Sequence, residues 1–239
     1  MIPIIYDSIN NGAVDEAFFI ELLERLNVEE IADIGCGTGR ITLQLAAKNY
    51  RITAVDPHEE AIAYAQTKPF AERVTWHAAT SDVLPSHTYD VVMMTANVAQ
   101  VFITDESFQA VVDDAYRVLK SGGHFLFDTR NSEARGWETW MSDTSPDFAT
   151  HAQTGEPLIV TTTYEPFVND VLTFCDTVTH AQTKEVLARE CTKLKFRSVA
   201  QIEAALHRAG FRIVHTYGDW KMKAATRHSQ SLIFDCIKD

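Results

Sequence analysis

Cysteine is scarce in this 239-residue sequence, and its pattern is sparse as well. Cys36, Cys175, Cys191 and Cys236 form no CxxC pair and have no histidine at zinc spacing. A disulfide framework and a structural metal are therefore not expected, and a reducing cytoplasm suits such usage. Positive charge is also in short supply: 21 basic residues face 33 acidic ones, for a formal charge of −12. That balance repels phosphate backbones and anionic lipid heads, so neither nucleic acid nor a membrane surface is an expected partner. No apolar run approaches the ~18 residues of a membrane helix. Residues 1–10 lack the basic region and apolar stretch of a signal peptide. What remains, 46% hydrophobic and 23% charged residues, is the composition of a globular protein with a continuous core. The length suits one large domain, or one carrying an insertion.

The first half alternates strand and helix patterns. Strands are expected at 31–34, 51–55, 74–78, 89–94 and 125–127, and helices at 40–48, 59–66 and 105–119. Val91, Val92, Met93 and Met94 are apolar at consecutive positions, as in a parallel strand buried on both faces. Phe108, Val111, Val112, Ala115 and Leu119 repeat at helical spacing, and Gly122-Gly123 reads as the stop for that helix. Strands joined by helices in this way predict βαβ units and a doubly wound sheet.

After Arg130 the pattern changes. Trp137 and Trp140, three apart, suit one helix face. Three β-type segments follow at 158–164, 171–179 and 186–196, the first two joined through the turn pair Asn169-Asp170. Short loops make them antiparallel. Residues 131–197 are thus expected to be a small antiparallel β insertion covering the acceptor site, with 1–130 and 198–239 forming the main domain. Lys193, Lys195 and Arg197 alternate with Leu194 and Phe196, which reads as a solvated basic face before it reads as a stripe attracting an anionic acceptor or partner. Ser198 and Gln201 have capping-box spacing, and Gly210 closes the helix they start. Phe211 to Tyr217 and Ser231 to Ile237 lie too close for a helical crossover, so they are expected to pair antiparallel.

The most informative stretch is Asp33-Ile34-Gly35-Cys36-Gly37-Thr38-Gly39-Arg40, between the first strand and the first of these helices. A dinucleotide fingerprint needs a glycine where Arg40 stands. Asp33 opposes a pyrophosphate at the helix N-terminus and favours a ligand bearing an ammonium group. Asp56 lies about 20 residues beyond Gly35, where an acid accepts both hydroxyls of a ribose, and Pro57 offers an apolar surface for a purine. An ammonium-seeking acid with a ribose acid describes S-adenosylmethionine better than NAD.

These residues resemble motif I and the following acidic motif of the class I S-adenosylmethionine-dependent methyltransferases. The resemblance covers roughly residues 30–130 and 198–239. It implies a Rossmann-like sheet of seven strands whose last strand is antiparallel. It implies that Gly35, Cys36, Gly37, Thr38 and Gly39 pass close to the cofactor, that Asp33 holds its amino end and that Asp56 and Pro57 hold its nucleoside. It further implies a contact to the adenine amino group from Thr80 or Asp82, and Asn97 beside the transferred methyl. The expected reaction is direct displacement onto a small-molecule acceptor, with an NAD-dependent oxidoreductase or a non-catalytic S-adenosylmethionine-binding module as alternatives. Such a transfer depends on alignment and desolvation, and no histidine stands out as a general base. Asp128 with Arg130 is a candidate pair for a polar acceptor, or simply an ion pair at a strand end. Trp137, Trp140, Tyr164 and Trp220 are candidates for an aromatic wall, or for packing. No catalytic residue is assigned, and nothing in the pattern bears on oligomeric state.

Overall fold

The computed structural model describes residues 2–10, 12 and 14–239. Two helices precede the alternating pattern: α1 (Pro3–Ile9), with proline in its first turn, and α2 (Val14–Leu26). Then follow β1 (Glu30–Ile34), α3 (Arg40–Ala47), β2 (Arg51–Val55), α4 (Glu59–Ala65), β3 (Val74–His77), β4 (Tyr89–Met94), α5 (Asp105–Val118) and β5 (Leu119–Arg130). The chain returns to the same sheet at its end through α7 (Val199–Ala209), β10 (Phe211–Tyr217) and β11 (Ser231–Lys238). The order is β10-β11-β5-β4-β1-β2-β3, seven strands of which only β11 runs antiparallel to its neighbours. The doubly wound sheet with its reversed last strand is the one expected.

Burial on both faces explains the apolar run in β4. Val92 and Met94 pack on the α5 and α7 side, while Val91 and Met93 pack on the side of α2 and α3. Phe125 and Phe127 share the first layer, and Leu126 the second. Asp128 therefore points to the α2 and α3 side, at the C-terminal edge of the sheet.

The glycine pair does not stop α5. The helix gives way to β5 at Leu119, and Gly122-Gly123 lie inside that strand. Gly122 has φ +78°, and a side chain on Gly123 would come within 3.0 Å of the Asp90 carbonyl. The β4–β5 register shifts between Tyr89 and Val91, so glycine here serves a bulge rather than a helix end.

Between β5 and α7 lie α6 (Trp137–Ser142) and a four-stranded antiparallel sheet. Its strands are β6 (Asp147–Thr150), β7 (Pro157–Tyr164), β8 (Val171–His180) and β9 (Val186–Lys195). The short β6 escaped the sequence pattern. Asn169 and Asp170 turn the β7–β8 chain onto itself with φ 52° and 59°, left-handed values that suit a tight hairpin. One expectation about cysteine is corrected. Cys175 and Cys191 face each other across β8 and β9, with Cα atoms 4.0 Å apart, and are joined as a disulfide. Spacing along the chain hides such a pair, because antiparallel register rather than sequence distance brings it together.

The same sheet grips two helices on one face. Ala149, Leu158, Val160 and Val178 enclose Ile5 of α1, and Leu172, Leu194 and Phe196 enclose Trp137 of α6. Trp140 and Tyr164 flank this second cluster, whereas Trp220 packs far from it on Phe18 and Phe19. His124, on β5, is bonded to Asp235 at 2.6 Å across the β5–β11 pair.

Arg197 also departs from the expected basic face. The strand ends at Lys195, and Arg197 turns inward to 3% exposure. Its guanidinium donates to the carbonyls of Phe102 (2.7 Å) and Thr104 (2.8 Å) and lies 4.4 Å over the Phe108 ring. It thus ties the insertion's exit to the loop after β4. Arg197→Ala should lower stability by roughly 3 kcal/mol, measured as a shifted denaturation midpoint with unchanged slope, because it removes a buried guanidinium's hydrogen bonds and its packing on Phe108.

Candidate functional site

The loop after β1 is shaped by three consecutive demands for left-handed backbone. Gly35, Gly37 and Gly39 have φ +73°, +55° and +75°. At Gly35 an added Cβ would sit 2.5 Å from Val98, and at Gly39 2.8 Å from Trp76. The loop is closed against β2: the amides of Gly35 and Cys36 donate to the Val55 carbonyl, at 2.8 and 3.2 Å. The amide of Gly37 donates to Asp56 Oδ2 at 2.9 Å, and that of His58 to Asp56 Oδ1 at 2.8 Å. Each carboxylate oxygen of Asp56 retains a further lone pair.

Asp33, on β1, is 1% exposed. Its Oδ2 accepts the Thr42 hydroxyl at 2.6 Å, and its Oδ1 has no partner among the described residues. Burial, with nearby Asp56 adding like charge, pushes its carboxyl up to about 6. A bare buried oxygen of this kind is a place kept for a donor.

Helix α1 closes the other side. The Asp7 carboxylate accepts the Thr38 hydroxyl at 2.6 Å and pairs with Lys68, which also donates to the Thr38 carbonyl at 2.8 Å. Tyr6 is thereby set over the loop. Arg40 is held by Asp15 and Glu16 at 2.6 and 2.7 Å.

The exit from β4 carries backbone strain. Ala96 and Asn97 are both left-handed, φ 55° and 62°, each a conformation costing about 1–3 kcal/mol outside glycine. The Asn97 amide is anchored by Asp128 Oδ2 at 3.1 Å. Asn97 Oδ1 and Asp128 Oδ1 are buried without partners among the described residues. Burial pushes the Asp128 carboxyl up to about 7, with Arg130 opposing the rise. Arg130 donates to Gln100 Oε1 at 2.8 Å and lies 4.8 Å over the Trp140 ring.

These elements enclose a cavity of about 340 Å³, within the range of small-ligand sites. Of the residues expected at a cofactor site, Gly35, Cys36, Gly37, Asp56, Pro57 and Thr80 line it. Asp33, Thr38, Gly39 and Asn97 stand behind its wall. Asp82 is exposed and takes the hydroxyl of Thr80, so of the two candidates for the adenine contact it is Thr80 that faces the cavity. Tyr6, Arg40 and Phe102 also line it and were missed. Pro3, at a position typical of helix starts, was the one local signal for α1. Among the described residues no cluster of His, Cys, Asp and Glu could hold a metal ion, and no helix is long and apolar enough to cross a membrane.

Residues 31–123, which carry this loop and both acids, match the family model described as a methyltransferase domain. This stretch, less than half of the chain, is similar to a methyltransferase domain. The malonyl-[acyl-carrier protein] O-methyltransferase of Bacillus cereus is 35% identical over 106 residues, covering 43% of this chain and 38% of that protein. The chain spans between 38% and 55% of the length of the first curated relatives it matches. Among solved structures, the CcbJ methyltransferase from Streptomyces caelestis superposes with a TM-score of 0.75 at 16% identity, covering 95% of both chains. The amino pentose methyltransferase CalS10 from Micromonospora echinaspora, solved with S-adenosylmethionine bound, superposes at 0.67 with 16% identity, covering 95% of this chain and 92% of that one. At such identity the likeness speaks for the fold alone.

A bare anionic oxygen at Asp33 suits an ammonium group, and Asp56 suits a diol. The backbone at Gly35 passes where no side chain fits. Gly35→Ala should therefore destabilise the protein by about 2 kcal/mol or more, through left-handed strain and collision with Val98; thermal or denaturant unfolding measures it.

Proposed function

We propose that the chain transfers a methyl group from S-adenosylmethionine to a small-molecule acceptor by direct displacement. The reading is carried by two buried acids on either side of one glycine loop: Asp33 with a bare oxygen, and Asp56 at the rim of the cavity. In this reading Asp33 holds the methionyl ammonium, and Asp56 takes the ribose hydroxyls. Pro57 and Phe102 offer apolar surfaces to the adenine, with Thr80 at its polar edge. Bound there, S-adenosylmethionine supplies a methyl group on a positively charged sulfur, which any aligned nucleophile can take.

The chain's own contribution is position and exclusion of water. Tyr6 and α1 cover the cavity, and the Asp7–Thr38–Lys68 contacts hold that cover down. The Asn97 loop, kept in its strained form by Asp128, borders the methyl end. The four-stranded insertion grips α1 from outside through Ile5, so residues 131–197 act as the roof of the acceptor site. Desolvation of this kind strengthens the attraction between fixed dipoles and a sulfonium.

Two experiments test the reading. Asp56→Ala should weaken S-adenosylhomocysteine binding by at least roughly tenfold in calorimetry while the protein stays folded. Thermal stability should rise with S-adenosylhomocysteine and not with NAD; a rise with NAD alone rejects the reading. The pH dependence has a definite sign. In the free protein Asp33 titrates near 6, and only its ionised form attracts an ammonium. Affinity for S-adenosylhomocysteine should thus fall by roughly tenfold from pH 7 to pH 5, and Asp33→Asn should flatten that profile.

A further inference from the structure

The four-stranded insertion has two faces, and only one of them grips α1 and α6. By strand alternation Asp176 and Glu190 share that inner face with the apolar clusters, and the Cys175–Cys191 bond lies on the outer one. Around the bond, Thr163 of β7 stands opposite Cys175, while Arg189 and Lys193 of β9 stand opposite Thr177 and Thr173 of β8. The two sulfurs are thus surrounded by neutral hydroxyls and two cations, on a chain whose formal charge is −12.

Both cations are uncommitted. Of the basic stripe expected along β9, Arg197 is buried, and Lys195 is spent on the Asn169 carbonyl (2.7 Å) and on Asp170. Lys193 is exposed and so is Arg189, and neither side chain has a hydrogen bond or ion pair among the described residues. They lie two residues to either side of Cys191, on the same face of the strand.

The sulfurs themselves are unequal. Cys191 is exposed on β9, the last strand of its sheet, whereas Cys175 on β8 is 8% exposed. Thiol–disulfide exchange begins with a thiolate attacking the more accessible sulfur. The β8–β9 ladder runs from Val171–Lys195 to Thr179–Val186 with the bond near its middle, so hydrogen bonds hold the strands when the bond opens.

We propose that this pair is a thiol-exchange site, at which Cys191 takes up a small thiol bearing carboxylates, drawn in by Arg189 and Lys193. The incoming thiolate RS− attacks Cys191 Sγ and forms Cys191–S–S–R. The bond to Cys175 breaks, its electron pair leaves on the Cys175 sulfur, and that sulfur takes a proton from water. Attack by Cys175 reverses the step. A second thiolate attacking the outer sulfur instead releases R–S–S–R and leaves Cys191 as a thiol, so two small thiols are oxidised and the protein pair is reduced. The cations raise the local concentration of an anionic thiol and favour its thiolate form. None of this requires an occupied cavity.

The test compares two thiols on the full chain at low salt: reduced glutathione, with two carboxylates and one ammonium, and cysteamine, with an ammonium alone. Loss of the bond is read by alkylation and mass spectrometry. Arg189→Gln combined with Lys193→Gln, two exposed changes, should lower the ratio of glutathione rate to cysteamine rate roughly tenfold. Salt at about 1 M should lower the wild-type ratio in the same direction, since it screens charges beyond about 3 Å. Acid-trapped glutathione should map to Cys191, and Cys175→Ser, given glutathione disulfide, should retain one glutathione there. Glutathione found on Cys175 overturns the proposal, as does a ratio that neither salt nor the double substitution changes. A bond that either thiol opens only after the protein is unfolded also overturns it. The salt dependence and the acid-trapped map use the wild-type protein, so they decide the matter even where a variant folds poorly.

Discussion

The carboxylate of Asp56 ties together everything the site depends on. It ends β2 and accepts an amide from the glycine loop that ends β1, so two neighbouring strand ends are locked at one height. Together with the Gly35 and Cys36 amides on the Val55 carbonyl, that tie holds three alternating left-handed glycines in one shape. With it, the loop becomes a rigid shelf whose backbone is exposed to a ligand on one side and packed against Val98 and Trp76 on the other. Charge here is structural first, and any role toward a ligand is built on lone pairs left over.

The second aspartate on this edge works differently. Asp33 is removed from water and given only one donor, which keeps it near the boundary between charged and neutral. Asp128, at the end of β5, repeats the arrangement. In each case one oxygen is used to hold the protein together and the other is left bare. Such half-satisfied carboxylates are costly in a resting protein, and both stand at the C-terminal edge of the sheet, where doubly wound folds take ligands.

Helix α1 turns two layers into one mechanical unit. It is bonded to the glycine loop through Asp7 and embedded in the insertion through Ile5. A displacement of the four-stranded sheet must therefore move Tyr6, which lines the cavity. Arg197 makes a parallel connection on the opposite side, from the end of β9 to the carbonyls around Phe102. The main sheet's C-terminal edge and the insertion are linked at both ends.

Much of this was legible along the chain because it is written in local chemistry. Alternating apolar runs determined the doubly wound sheet, the Ser198–Gln201 box determined a helix start, and glycine spacing with two acids pointed to the cofactor loop. What the sequence could not decide was set by register and burial between distant segments. The Cys175–Cys191 bond exists because antiparallel pairing opposes residues 16 apart, and Arg197 is buried because β9 stops before it. Gly122 serves a bulge because β4 and β5 slip against each other, and Tyr6 reaches the cavity because Asp7 finds Lys68 across the fold. Local periodicity determines which elements form. Only the packed structure decides which lone pairs remain unused, since that depends on every other group that arrives.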